Sequence, residues 1–154
     1  MKRWMFLLAM MFSLPCLAQA QGEPPPNVPV GEQISYDLGH PLPQSQMMEF
    51  PDPAALGGEV LWGNLRIFAA FDYVTPTMSA GHFEATGPSQ VRITFPFTEH
   101  GTVIYGAFTM KDENGDVKLY LPGDSYLIRQ GSVVVWTILT PRMQKSFLNV
   151  LETP

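Results

Sequence analysis

Cysteine is almost missing from this 154-residue chain, Cys16 being the single one. No internal disulfide can form, so the fold must stand on its apolar core, which the length allows for one domain. Clusters of lysine and arginine are missing as well. Nine basic residues face fourteen acidic ones, a formal net charge of -5. A nucleic-acid partner needs a basic stripe to neutralise phosphates, and none is present. After the first twenty residues there is no further long apolar run, so the remainder is expected to be soluble without membrane insertion. No segment carries the apolar period of an amphipathic helix, and no internal repeat marks a second, duplicated unit.

What is present starts with a short apolar segment. Lys2 and Arg3 precede the run Trp4 to Leu14, and Ala18-Gln19-Ala20 follows as a small-x-small site. The run is too short to span a bilayer and has the layout of a secretory signal peptide, residues 1–20, cleaved after Ala20. Pro15 stands before Cys16, where a lipoprotein signal wants a small residue, so lipidation is not expected. Cleavage would remove the only cysteine. The short basic start fits a bacterial signal and a periplasmic destination.

Residues 21–58 form a proline-rich extension, with Glu23-Pro24-Pro25-Pro26, His40-Pro41-Leu42-Pro43 and Phe50-Pro51-Asp52-Pro53. Proline removes amide donors and fixes φ, which excludes long helix there. Met47, Met48 and Phe50 are too apolar for a free linker and are expected to pack on the domain or on a neighbouring subunit, with a homodimer as the assembly considered. From residue 59 to 154 the texture is that of short strands: 60–62, 65–71, 82–85, 91–95, 103–110, 117–121, 125–128, 133–139 and 145–151. They are rich in Val, Ile, Phe, Tyr and Thr and are separated by Gly, Pro, Asn and Asp. Asp112 to Asp116 reads as a solvated hairpin tip, with Asn114-Gly115 at the left-handed positions; it has no EF-hand register. The expectation is an all-β sandwich or barrel in one domain.

Within this pattern, Glu99-x6-Gly106 and Gly123-x5-Arg129-x-Gly131 frame two halves of a motif pair. Gly81-His82-Phe83-Glu84-Ala85-Thr86, Phe97-Thr98-Glu99, Pro122-Gly123-Asp124, Gly131 to Trp136 and Lys145-Ser146-Phe147 follow in order, with Trp62-Gly63 upstream. Over about residues 60–151 the chain resembles the small cupins grouped with ureidoglycine aminohydrolase. The resemblance implies a cupin jelly-roll β-barrel, and in that family a metal-dependent activity, commonly with manganese. It also implies two histidines, a glutamate and a later histidine pointing inward. Here the glutamate is Glu99, while Arg92, Thr94 and Val134 stand at the histidine positions. Arginine stays protonated and cannot ligate a cation, so no resident metal is expected. The alternative is a re-sited Mn or Zn on His82, Glu84, Glu99 and His100, although adjacent Glu99 and His100 point to opposite faces of a regular strand.

The residues expected to line the lumen are Glu84, Arg92, Thr94, Glu99, Tyr105 and Trp136, with no catalytic residue assigned. Arg92 and Thr94 alternate onto one strand face, which suggests an Arg92–Glu99 pair in the lumen with Thr94 beside it; a structural ion pair or solvated side chains are the alternative. Glu84 faces either lumen or water, with Phe83 opposite it in the core. His82 and His100 have no Ser or Asp at a recognisable catalytic spacing and are expected at the surface, as is His40 in a loop. Trp62, Phe95, Phe97 and Phe108 are core aromatics. Val134 makes the lumen more apolar and favours a carbon-rich ligand.

Taken together, the expected role is a metal-independent module binding a small polar or aromatic molecule, or a structural module. The alternatives are an aminohydrolase-like metalloenzyme and an interaction subunit of an envelope assembly docking through Met47, Met48 and Phe50. Ala18-Gln19-Ala20 motivates the first prediction. The intact mass of protein recovered from the periplasm of an expressing bacterium should correspond to a chain beginning at Gln21, whereas full-length or acylated protein would place it on a membrane.

Overall fold

Alternation of apolar and polar residues, with Gly and Pro at the turns, folds this chain into eleven strands among the described residues, which are 28, 29 and 31–152 in a computed structural model. Residues 1–20, expected from the sequence to be a signal segment, and the start of the extension lie outside them. The strands are β1 (Met48–Phe50), β2 (Gly58–Gly63), β3 (Ile67–Val74), β4 (Met78–Thr86), β5 (Ser89–Thr94) and β6 (Thr98–Tyr105). They continue as β7 (Phe108–Lys111), β8 (Val117–Tyr120), β9 (Ser125–Ile128), β10 (Val133–Ile138) and β11 (Arg142–Val150). Two antiparallel sheets result, ordered β1-β3-β4-β11-β6-β9 and β2-β5-β10-β7-β8. Apart from the β3–β4 and β7–β8 hairpins, consecutive strands fall in opposite sheets, and the product is the expected all-β jelly roll.

The period of two decides what lies between the sheets. On β10, Val134, Trp136 and Ile138 point inward and pair with Ile93, Val91 and Ser89 of β5. On β11, Met143, Lys145, Phe147 and Asn149 share the inward face and pair across β4 with Ala85, Phe83, Gly81 and Ser79. The core joins both sheets through Val91, Val103, Phe108, Tyr126, Trp136 and Met143. Trp136 is its hub, in ring contact with Phe83, Phe95, Phe108 and Tyr126.

Several boundaries differ from the sequence expectation. The run 103–110 is two strands, because Gly106 turns the chain at φ 76° and a Cβ there would come within 2.2 Å of the Arg142 carbonyl oxygen. Thr140 closes that turn by accepting from the Ala107 amide at 3.0 Å. In the β7–β8 hairpin only Gly115 takes a positive φ; Asn114 does not, since the Asp112 carboxylate caps the turn on the amides of Asn114 and Asp116 instead. Asp124 acts as a turn residue, accepting from the Leu121 amide at 2.9 Å.

The proline-rich segment is integral to the fold. Residues 48–50 add a strand to the edge of β3, Met48 opposite Ala69 and Phe50 opposite Ile67. Upstream of it the chain straps the outer face of the six-stranded sheet. The Gln144 side-chain amide pairs with the backbone of Leu42 in both directions, accepting at 2.7 Å and donating at 3.0 Å. Tyr36 donates to Asp72 at 2.9 Å and packs edge-on against the His82 ring. His82 is therefore covered, where a surface position was expected.

Burial under the strap holds the His82 imidazole below its ordinary value of 6.5, with Asp72 pulling in the opposite direction. A base whose pKa is lowered by folding binds more protons in the unfolded chain, so its contribution to stability is lost as pH falls below 6.5. Urea titrations between about pH 7.5 and 5 should show His82→Gln losing less stability on acidification than wild type. Parallel losses would mean that folding does not lower the pKa of His82.

Candidate functional site

Inside the barrel, a lysine occupies a strand position whose neighbours are apolar. Lys145 lies on β11 between the inward Met143 and Phe147, and is 1% exposed. Its ammonium contacts a carboxylate oxygen of Glu99, which is itself 4% exposed, and donates to the Tyr126 hydroxyl at 2.7 Å. Tyr126 in turn donates to the same Glu99 oxygen at 2.6 Å. Three aromatic faces complete the cage: the Lys145 nitrogen is 4.5 Å from the Trp136 ring centroid, 4.8 Å from Phe83 and 5.4 Å from Tyr126. Each ring presents negative quadrupole to the cation.

The backbone makes this arrangement possible. Glu99 on β6 is opposite Ile128 of β9, and Gly101 is opposite Tyr126. A Cβ on Gly101 would fall 2.6 Å from the Tyr126 ring, so the absent side chain is what lets the phenol reach Glu99. Burial shifts both partners toward neutrality. It pulls the Lys145 amine down, with Glu99 restoring part of the loss, and it pushes the Tyr126 phenol well up, with Glu99 adding to the effect. Tyr126 thus stays a donor to Glu99, and the Lys145 amine is held below its ordinary value by burial while that carboxylate pulls it back up.

Two members of the triad, Glu99 and Lys145, border a cavity of about 410 Å³. Its walls are mostly apolar, with Ile93, Phe97 and Phe147 from the barrel and Met48, Phe50 and Leu56 from the N-terminal extension. Two buried polar atoms on residues of this wall have no hydrogen-bond partner among the described residues: the Trp136 Nε1 donor and the Asn149 Oδ1 acceptor. The arrangement suits one small molecule with an apolar body and a polar end.

Of the six residues expected in the lumen, Glu99 and Trp136 are there. The other four are not. Glu84 is fully buried on the opposite face of β4, where Arg142 donates to it at 3.0 Å, Gln144 at 3.2 Å, and Gln44 of the strap closes over it. The even-numbered positions of β4 face outward, and the strap makes that face dry. Arg92 and Thr94 are on the outer face of β5, both exposed, and Arg92 pairs with Glu59 at 2.7 Å rather than with Glu99. The inward positions of that strand are Val91 and Ile93. Tyr105 is at an exposed rim beside Gly106, close to Arg142.

The alternative set for a re-sited metal, His82, Glu84, Glu99 and His100, does not come together in this lumen. His82 and Glu84 are on the far side of β4, and His100 is exposed on the face of β6 opposite Glu99. Among the described residues no three His, Cys, Asp or Glu side chains converge. The one inward carboxylate is already occupied by an ammonium.

Sequence reasoning missed Lys145, Tyr126 and Asn149. The signal for Lys145 was present: it has the same strand parity as Met143 and Phe147, so alternation alone puts its charge on an apolar face. Nothing local marked Tyr126, whose role depends on Gly101 across the sheet.

Residues 75–147 match the model of the EutQ-like cupin domain. The EutQ protein of Clostridium difficile superposes with a TM-score of 0.50 at 14% identity, over 57% of this chain and 70% of that one. A Rhizobium leguminosarum protein of unknown function gives 0.50 at 12% identity, over 60% and 86%. One from Pseudomonas syringae gives 0.55 at 19%, over 68% of this chain and 44% of its own, so this chain spans under half of it. At these identities the likeness is one of fold. The matched model is that of EutQ-like cupins and carries no support for the narrower ureidoglycine aminohydrolase grouping. No curated protein matches the chain.

The pair defines the next prediction. Lys145→Met leaves the Glu99 carboxylate buried with only Tyr126 and should cost about 3–5 kcal/mol. Replacing both residues by methionine should cost clearly less than the sum of the single changes. A double-mutant cycle in urea measures this, and additive single effects would mean that the two charges do not depend on each other.

Proposed function

We propose that the EutQ-like cupin domain of this chain is a metal-independent binding module that takes one small molecule, with an apolar or aromatic body and a polar end, into its lumen. The observation that carries this reading is the Lys145–Glu99–Tyr126 triad, two of whose members, Lys145 and Glu99, border an apolar cavity of about 410 Å³. A triad made only to fill space is a poor choice, because apolar residues of similar volume do that at lower desolvation cost. Charged groups beside an open cavity instead hold a polar group that enters it.

The N-terminal extension belongs to the same reading. Met48, Phe50 and Leu56 supply one wall, so the ligand would touch both the extension and the barrel. This favours binding over docking through residues 47–50, since Met48 and Phe50 are already committed to β1 and the cavity. Export completes the proposal: the segment Lys2 to Ala20 supports delivery of the module to the periplasm.

The test uses Trp136 as reporter, in full chain carrying Trp4→Phe and Trp62→Phe, so that it is the remaining tryptophan of three. Hexanol and benzyl alcohol are the probes. A saturable change in Trp136 emission and a probe-dependent rise in Tm are expected, because a ligand that binds only the native state stabilises it. Chelator should leave Tm unchanged. A flat response up to the solubility limit would end the binding reading, and a one-to-one metal lost in Glu99→Ala would replace it with a metalloenzyme.

A further inference from the structure

We propose that Lys145 is a carbonyl-capture residue, whose ε-amine condenses with a small aldehyde or ketone entering the lumen to form an imine. The proposal rests on the lumen being a ligand site and adds a covalent step to it.

Three features of the geometry converge on this. First, Lys145 is one of the residues lining the cavity and is the only buried lysine among the described residues; Lys111 and Lys118 are both exposed. Second, a carboxylate and a phenol stand on the amine at once, one able to accept its proton and the other able to relay one, with Tyr126 at 2.7 Å from the nitrogen. Third, the aromatic cage of Phe83, Tyr126 and Trp136 keeps a cation favourable at that point while bulk water is excluded. Desolvation of an amine in an apolar pocket is the general means by which a lysine becomes nucleophilic near neutral pH, and burial acts on Lys145 in that direction.

The step balances without an oxidant or reductant. Glu99 takes one proton from the Lys145 ammonium, and the freed lone pair attacks the carbonyl carbon as the C=O π electrons move to oxygen. A proton passes from nitrogen to that oxygen through the Tyr126 hydroxyl, giving a carbinolamine. Glu99 then returns its proton to the carbinolamine hydroxyl, which leaves as water while the nitrogen lone pair forms C=N. The protonated imine carries the charge the ammonium had and keeps the ion pair with Glu99. The organic tail lies along the apolar wall.

The experiment treats the full chain with hexanal or benzaldehyde and sodium cyanoborohydride near neutral pH, then maps lysine alkylation by peptide mass spectrometry. Hexyl or benzyl addition at Lys145 should exceed that at Lys111 and Lys118 by about tenfold or more, and excess hexanol should suppress it at Lys145 alone. Label confined to Lys111 and Lys118, or spread evenly, overturns the proposal. If hexanol still perturbs Trp136 emission in that case, the pocket stands and only the covalent step is lost; if it does not, both readings are lost. The wild-type chain carries the whole test, so it does not depend on a Lys145 variant that folds.

Discussion

A lysine ammonium held on a glutamate between two β-sheets is the constraint around which the rest of this barrel is arranged. Moving either charge out of water costs several kcal/mol, and only close pairing with further hydrogen bonds offsets that cost. Each nearby element contributes to the offset. Tyr126 bonds both partners, Gly101 gives the phenol space, and Phe83 and Trp136 turn their faces to the cation. A buried ion pair is weak evidence for stability in its own right. Its place beside an open apolar cavity is therefore better explained by what it can hold or do there.

Around Lys145, β11 and its neighbour β4 are covered on both faces, although an antiparallel sheet can leave its outer face to water. On the inner side of β4 and β11 lie Phe83, Lys145 and Phe147. On the outer side Glu84 and Gln144 form a second polar network that clamps the strap at Leu42 and Gln44, with Arg142 neutralising Glu84. The same proline-rich segment thus seals the back of the sheet and, a few residues later, walls the cavity through Met48 and Phe50. The cavity and the docked extension are physically joined through these two strands.

Much of the architecture was legible from residue types. Alternation located most of the strands, and the hairpin at Asp112–Asp116 and the turn at Asp124 have the local chemistry expected of them. Glu99 could be placed inward through the motif that contains it, and the adjacent His100 does point the other way. The misplaced residues share a cause. For Arg92 and Glu84, strand parity could be assigned either way, and a shift of one residue exchanges lumen for outer face. Strand β1 was missed because three residues between prolines carry too little pattern to be read.

By itself the sequence determined the all-β class, the turns, the want of a histidine ligand set and the acidic composition with its single cysteine, because these depend on residue type and on spacing within a few positions. Tertiary structure alone decided that Lys145, Glu99 and Tyr126 meet, since they come from β11, β6 and β9 and are brought together by pairing register across the sheet. It also decided that Glu84 is dry without being in the lumen, because the strap that covers it starts some forty residues earlier in the chain. Periodicity tells which residues share a face; only the packing of distant segments tells what that face meets.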